Sequence, residues 1–447
     1  MQKQLVIDRL QEEIVRLKAR LRYQERTAKE GPFGSSTPSA KVPCKANAPP
    51  ENSPRRGGAR PGHRGHGRRN VPSDQVTARQ TVPGPERCPY CGGPLAPKGS
   101  KARTIIEVDP VRKEVVRYEL EQSDCRHCHH TFTARPAGVF AKGLFGNRLL
   151  THLAMEHYVQ GVTLGRLSAS LGITQGSLWS ALHQLAGRLA AVPERLLLEY
   201  RRAPVKHADE TGWRTDGHNG YAWLFCTERI SLFRFRQSRS ASVAQEVLGT
   251  QRLRGVLVVD RYNGYNQAPC AIQYCYAHLL REVQDLEKEF PDVDEVSRFV
   301  ASFAPRLAQA MQLRTQSLAP ARFAERALEL KIDIKTLVHS PAQHPGIQKI
   351  QNIFRKRASR LYHWAKNPAI PAENNRAERE LRPLVIARKI SFGSQSEQGA
   401  RTREILMSVL HTLRKRTDKV FDRFKRCLDA LAEDETRDPY QLLFDSS

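Results

Sequence analysis

Residues 205–278 read as three strands, a helix and two further strands, and no other stretch of this 447-residue chain restricts the fold so tightly. Val205-Lys206-His207-Ala208-Asp209 alternates and ends on an acid. Residues 215–220 read as a turn. Tyr221-Ala222-Trp223-Leu224-Phe225-Cys226-Thr227 is a second strand and 230–235 a third. Residues 241–248 have helical spacing. Gly255-Val256-Leu257-Val258-Val259-Asp260 is a continuous apolar run of the kind found in parallel sheets buried on both faces. Ile272-Gln273-Tyr274-Cys275-Tyr276-Ala277 is the last strand and leads to His278.

An antiparallel meander, a crossover helix and then a buried parallel strand is the order of an RNase H-like fold. In that order the ends of strands one and four are neighbours, which brings Asp209 to Asp260. A third acid, Glu378, lies in the helix-patterned segment 374–383. Carboxylates at strand ends, with one on a later helix, are what two Mg²⁺ (or Mn²⁺) ions need when a phosphodiester is attacked in line. Glu210 is an alternative to Asp209, and Glu373 and Glu380 compete with Glu378. The plainer alternative for Glu378 is a surface pair with Arg382, worth about 0.2–0.5 kcal/mol.

Around these acids the chain is strongly basic, with 72 Lys and Arg against 46 Asp and Glu and a formal charge of +26. Such an excess favours a polyanion, and with an acidic centre it points to nucleic acid; a merely soluble basic protein or a ribosome-like binder is the alternative. No apolar run approaches the ~18 residues of a membrane span, and no signal-peptide core opens the chain, so a cytoplasmic location without membrane contact is expected.

The N-terminal parts point the same way. Ile7, Leu10, Ile14, Leu17 and Leu21 form an a/d seam, read as a coiled coil over 1–30 that makes a homo-oligomer; a single docked helix is the alternative. Residues 31–85 form a linker that cannot bury a core, and its Arg55, Arg56, Arg60, Arg64, Arg68 and Arg69 suit a DNA backbone or minor groove. Four of the nine cysteines fall in two C-x-x-C pairs, Cys88 with Cys91 and Cys125 with Cys128. Joined by strand-like sequence, they read as a zinc ribbon over 86–135 holding one structural Zn²⁺. Reduced buried cysteines, or substitution by His127, His129 or His130, are the alternatives. Residues 140–200 are helical, and 161–182 have a helix-turn-helix pattern: Leu164, Leu167 and Leu171 on one helix, Gly172 at the turn, Thr174 as cap, Leu178 and Leu182 on the next. Ordinary helical bundles show the same pattern.

Four segments carry a more specific signal: Ala208-Asp209-Glu210-Thr211-Gly212-Trp213, Asp260-Arg261-Tyr262-Asn263-Gly264-Tyr265-Asn266, Cys275-Tyr276-Ala277-His278 and Asn374-Asn375-Arg376-Ala377-Glu378-Arg379. With these and the order of its parts, the chain resembles the insertion-sequence sixty-six family of DDE transposases over nearly its whole length. The resemblance implies that Asp209, Asp260 and Glu378 are the three catalytic, metal-binding acids. The chain departs from the family at Arg261, where a small residue is usual, and at Leu279-Leu280, where a more basic pair is; these bear on DNA contacts rather than chemistry.

The resemblance also implies a bacterial enzyme that cleaves element ends and joins the freed 3′-hydroxyl to target DNA by two-metal phosphoryl transfer, with possible accessory proteins from the same element. The multidomain α/β chain then divides into those N-terminal parts, a core begun at 201–278, an all-helical insertion at 279–370 and a C-terminal part at 371–447 carrying the third acid. Arg376, Arg379, Arg382, Arg388, Lys389, Arg401 and Arg403 are candidates for a DNA track, or a solvated helix face. His207 and His278 read either as phosphate- or water-orienting groups or as structural histidines. Trp213 either packs a hairpin or stacks on a base. Competing functions are a zinc-containing DNA-binding regulator with an inactive core and a structure-specific nuclease.

Overall fold

The computed structural model describes Glu13, Ile14, Leu17 and Leu21 together with residues 113–120, 122–124, 131–133, 136–141 and 143–445. The candidate zinc ligands Cys88, Cys91, Cys125 and Cys128 all lie outside the described residues. So do the arm residues Arg55, Arg56, Arg60, Arg64, Arg68 and Arg69, and Ile7 and Leu10 of the heptad seam. Ile14, Leu17 and Leu21 are helical and exposed. Residues 43–116 separate as a unit of their own, of which only 113–116 are described. Two short antiparallel strands, β1 (Gln122–Asp124) and β2 (Thr131–Thr133), flank Cys125 and Cys128 in sequence.

The helices α1 (Asn147–Tyr158), α2 (Leu164–Leu171), α3 (Gln175–Arg188) and α4 (Val192–Arg202) lead into the main sheet. The expected pair is α2 and α3. Gly172 ends α2 in the left-handed region at φ 59°, and Thr174 accepts the Ser177 N–H at 3.4 Å to start α3. Leu164, Leu167, Leu171, Leu178 and Leu182 are all buried.

The sheet contains β3 (Val205–Thr215), β4 (His218–Cys226), β5 (Ser231–Arg236), β6 (Val256–Val259) and β7 (Ala271–Tyr274), with the crossover helix α5 (Ala241–Leu248) between β5 and β6. The order is β5-β4-β3-β6-β7; the meander is antiparallel, and β6 and β7 run parallel to β3 and to each other. Strands one and four of this sheet are therefore neighbours, as the sequence order requires.

Two boundaries differ from the sequence reading. β3 continues to Thr215, so Asp209 sits within the strand rather than at its end. The cause is a two-residue turn: Asp216 and Gly217 both have positive φ (50° and 74°), the geometry that matches strand twist and lets Thr215 pair with His218. The last strand stops at Tyr274, and α6 (Tyr276–Glu289) begins at once, which puts His278 in a first helical turn.

Backbone and a buried lysine fix the entry to β3 and β6. Gly255 has φ +83°, and a Cβ there would stand 2.2 Å from the Pro204 carbonyl oxygen, so only glycine fits. Lys206 is fully buried and donates from Nζ to the carbonyls of Ala203 (2.6 Å) and Arg254 (2.7 Å).

Helices α7 (Asp294–Gln312), α8 (Pro320–His339) and α9 (Pro345–Lys356) follow α6, and no strand occurs among the described residues between β7 and α10 (Asn375–Ser391). The chain ends with α11 (Glu397–Arg416), α12 (Val420–Glu433) and α13 (Pro439–Phe444). α11 is buried along most of its length and lies against the edge strand β5. Glu404, Ser408 and Thr412 accept the N–H groups of Phe235 (3.1 Å), Phe233 (2.9 Å) and Ser231 (3.0 Å). Four helical residues rise about 6 Å and two strand residues about 6.6 Å, so the two repeats keep step. An otherwise open sheet edge is closed by side chains.

Candidate active site

In the parallel ladder, Val205 lies opposite Val256 and His207 opposite Val258. The same register, continued past the end of β6, sets Asp209 beside Asp260 at the rim of the ladder. Asp209 Oδ1 accepts the Glu210 N–H at 2.9 Å, and Asp260 Oδ1 accepts the Tyr262 N–H at 2.9 Å, which turns the chain away from β6. Glu378 enters from the first turn of α10. Its Oε1 accepts from Arg281 Nη2 at 3.2 Å and lies 3.8 Å from His278 Nδ1.

These acids sense one another. Burial foremost, then the negative charges of Glu210, Asp260 and Glu378, holds the Asp209 carboxyl well above the usual carboxylate range. Burial also raises Asp260, opposed by the Tyr262 N–H, Arg239 and Arg261. The structure thus brings together all three acids singled out in the sequence.

Two of the competing carboxylates are held by other side chains. Glu210 accepts from Arg239 Nη2 at 2.7 Å and from the Tyr265 hydroxyl at 2.5 Å. Glu380 accepts from Lys415 at 2.7 Å and from Ser231 Oγ at 2.8 Å. Glu373 is partly buried, and burial raises its carboxyl.

Asn374 joins the elements that carry the acids. Its Nδ2 donates to the Ala208 carbonyl (2.9 Å), its Oδ1 accepts from His207 Nδ1 (2.9 Å), and its backbone N–H donates to Cys275 Sγ (3.1 Å). Its carbonyl accepts the Glu378 N–H at 3.3 Å. His207 is 3% exposed, burial pushes it down to about 4, and its Nδ1 is bonded to Asn374, which fits the structural alternative. His278 differs. Burial, Arg281 and Arg261 push it down to about 3, yet its buried Nδ1 has no hydrogen-bond partner.

Among the basic candidates, Arg379, Arg382 and Lys389 are exposed and Arg376 is partly exposed. Arg388 instead donates to Thr211 Oγ1 at 3.0 Å, Arg401 pairs with Glu404 at 2.8 Å, and Arg403 is buried against the rings of Tyr158 and Trp213. Arg403 is thereby removed from a DNA track. Trp213 is buried at 2%, edge-on to Phe235, with its Nε1–H on Ser394 Oγ at 3.2 Å, which is the packing alternative.

The sequence reading missed Arg281 and a basic cleft. Arg281 follows His278 by three residues, a same-face spacing visible only once α6 is known to start at Tyr276. The cleft, a cavity of about 470 Å³, is lined by Arg261, Lys349, Lys356 and Arg357 beside Asn263 and Tyr274. Arg261, one of the two departures from the family pattern, pairs with Glu282 there, as does Lys349 at 3.3 Å. The other departure, Leu279-Leu280, packs into the core.

Residues 142–402, more than half of the chain, match the Transposase IS66 family. The chain belongs to this family. Similar proteins include three from Sinorhizobium fredii (strain NBRC 101917 / NGR234), each carrying the description "Uncharacterized protein". y4jD is 24% identical over 370 residues, covering 73% of this chain and 70% of its own length. y4qI is 23% identical over 342 residues (67% and 62%), and y4hP 21% over 395 residues (78% and 71%). The transposase family implies an enzyme that modifies nucleic acid, with DNA as substrate. Among the described residues of the transposase, no helix is long and apolar enough to cross a membrane.

Proposed function

We propose that this transposase cleaves the ends of a bacterial insertion sequence and joins the freed 3′-hydroxyl to target DNA, on an RNase H-like core whose metal-binding acids are Asp209, Asp260 and Glu378. The observation that carries the reading is geometric: the β3–β6 register sets Asp209 beside Asp260, and Asn374, bonded to the Ala208 carbonyl, starts the helix whose first turn carries Glu378. Three partly buried carboxylates from a strand, a strand end and a helix repel one another at one spot, an arrangement that a hard divalent cation relieves.

Such a donor set fits Mg²⁺ or Mn²⁺: Asp209 and Asp260 would hold one ion, and Asp209 with Glu378 a second. When bound, the ions supply charge stabilisation at the phosphate and at the attacking and leaving oxygens. The chain's own part is positioning. Asn374 holds α10 against β3, so the third acid faces the first two. Water displaces the 3′-oxygen at the element end, and the resulting 3′-hydroxyl then displaces a 3′-oxygen in target DNA. Arg281 beside Glu378, with exposed Arg379 and Arg382, offers positive charge to the DNA backbone entering the site.

Asp209→Asn, Asp260→Asn and Glu378→Gln, assayed for Mg²⁺-dependent cleavage of DNA bearing element ends, test this reading. Each is expected to abolish cleavage while DNA binding persists. Unchanged cleavage in all three removes the acid assignment. Cleavage of RNA–DNA hybrid but not of element ends points to the nuclease alternative, and binding with no cleavage by the unaltered chain points to the regulator.

A further inference from the structure

Given the metal centre just proposed, on which this inference rests, one buried group beside the acids has no partner. The His278 ring is 33% exposed, but its Nδ1 is closed off from solvent and makes no hydrogen bond. Polar atoms so buried are normally paired, and an unpaired one points to a ligand. At 3.8 Å, His278 Nδ1 and Glu378 Oε1 are too far apart for a hydrogen bond. Two donors on one ion, each about 2.1 Å from it, stand roughly 3–4 Å apart.

Cys275, His278 and Glu378 each offer a donor atom within 4.8 Å of the others. Cys275 is fully buried, and its sulfur already accepts the Asn374 N–H. The donors that remain are the imidazole nitrogen, which has no partner, and the Glu378 carboxylate, whose Oε1 also accepts from Arg281 Nη2 at 3.2 Å. They come from the first turns of α6 and α10, two helices whose starts are tied together by that same Asn374–Cys275 bond.

We propose that His278 Nδ1 ligates, together with the Glu378 carboxylate, the divalent ion on the third-acid side of the site. One half of the centre is then an all-oxygen pair, Asp209 and Asp260, and the other a histidine–carboxylate pair. Imidazole suits transition ions, whereas Mg²⁺ prefers oxygen. The third-acid side therefore favours Mn²⁺ over Mg²⁺.

The test is Mn²⁺ binding to the full chain, followed by electron paramagnetic resonance with detection of nitrogen coupling. The unaltered protein is expected to show the ¹⁴N modulation of an imidazole ligand. His278→Ala is expected to lose it and to bind Mn²⁺ about tenfold or more weakly, with Mg²⁺ binding less affected. His278→Gln gives the same readout if the alanine variant fails to fold. Absence of nitrogen coupling in the unaltered protein, or its survival in the His278 variants, overturns the ligand assignment. Asp209→Asn and Glu378→Gln separate the two levels: if neither alters Mn²⁺ binding, the acid cluster itself is misread. If they weaken binding and the His278 variants do not, only the histidine is.

Discussion

Asn374 donates its side-chain N–H to the Ala208 carbonyl at 2.9 Å, and so fixes the start of the helix carrying Glu378 to the residue before Asp209. The same side chain accepts from His207, and its backbone reaches Cys275. Three segments far apart in sequence thus meet on one buried amide.

Asn374→Ala is expected to cost about 1–3 kcal/mol for each buried group it leaves unpaired, the Ala208 carbonyl first. Folded protein should then cleave DNA poorly, because Glu378 loses its register with Asp209. Urea unfolding gives the first effect and end-cleavage assays the second. Full activity in a folded Asn374→Ala protein would show that the clamp does not position the acid.

Asp209→Asn should raise thermal stability in EDTA at neutral pH while abolishing cleavage. The folded Asp209 carboxyl holds its proton to higher pH than the unfolded chain's, whose value is about 3.9. That contribution is fully present below about pH 3.9 and is lost as pH rises through the raised folded value. Melting temperature in EDTA should therefore fall more steeply with rising pH in the unaltered chain than in Asp209→Asn. Divalent ion should stabilise the unaltered chain more than the variant, which keeps only the donors on the third-acid side. Scanning both proteins by calorimetry from pH 5 to 8 checks the sign.

The strand order was legible because alternation and apolar runs are local, and Asp209 and Asp260 came with it. Glu378 was legible only through the resemblance; a carboxylate on a helix with mixed polarity looks like any surface acid. The clamp was not legible, since a buried asparagine has no signature before its partners are known. Nor was the role of α11: Glu404, Ser408 and Thr412 interrupt its apolar pattern, and their reason is the edge of a strand about 170 residues earlier. Arg403 reads as surface charge in sequence and is held among aromatic rings in the fold.

Ser408→Ala should remove the acceptor of the buried Phe233 N–H and destabilise by about 1–3 kcal/mol. Ser408→Thr keeps the hydroxyl and should lose less. Because the strand edge lies away from the acids, Mn²⁺ affinity of the folded variants should stay unchanged, and a joint measurement of unfolding and metal binding checks both halves.

Lys356 and Arg357, exposed at the end of α9, line the cleft beside the loop that follows Asp260. If DNA phosphates run through this cleft, Lys356→Glu and Arg357→Glu should each weaken binding of all sequences alike. The slope of log affinity against log salt should shrink by about 1 for each phosphate that the variant no longer neutralises. Thermal stability should stay within about 0.5 kcal/mol, since exposed substitutions touching no buried group rarely do more. Titrating labelled duplex at several salt concentrations distinguishes this from a loss of sequence recognition, which would change affinity for element ends and leave the slope intact.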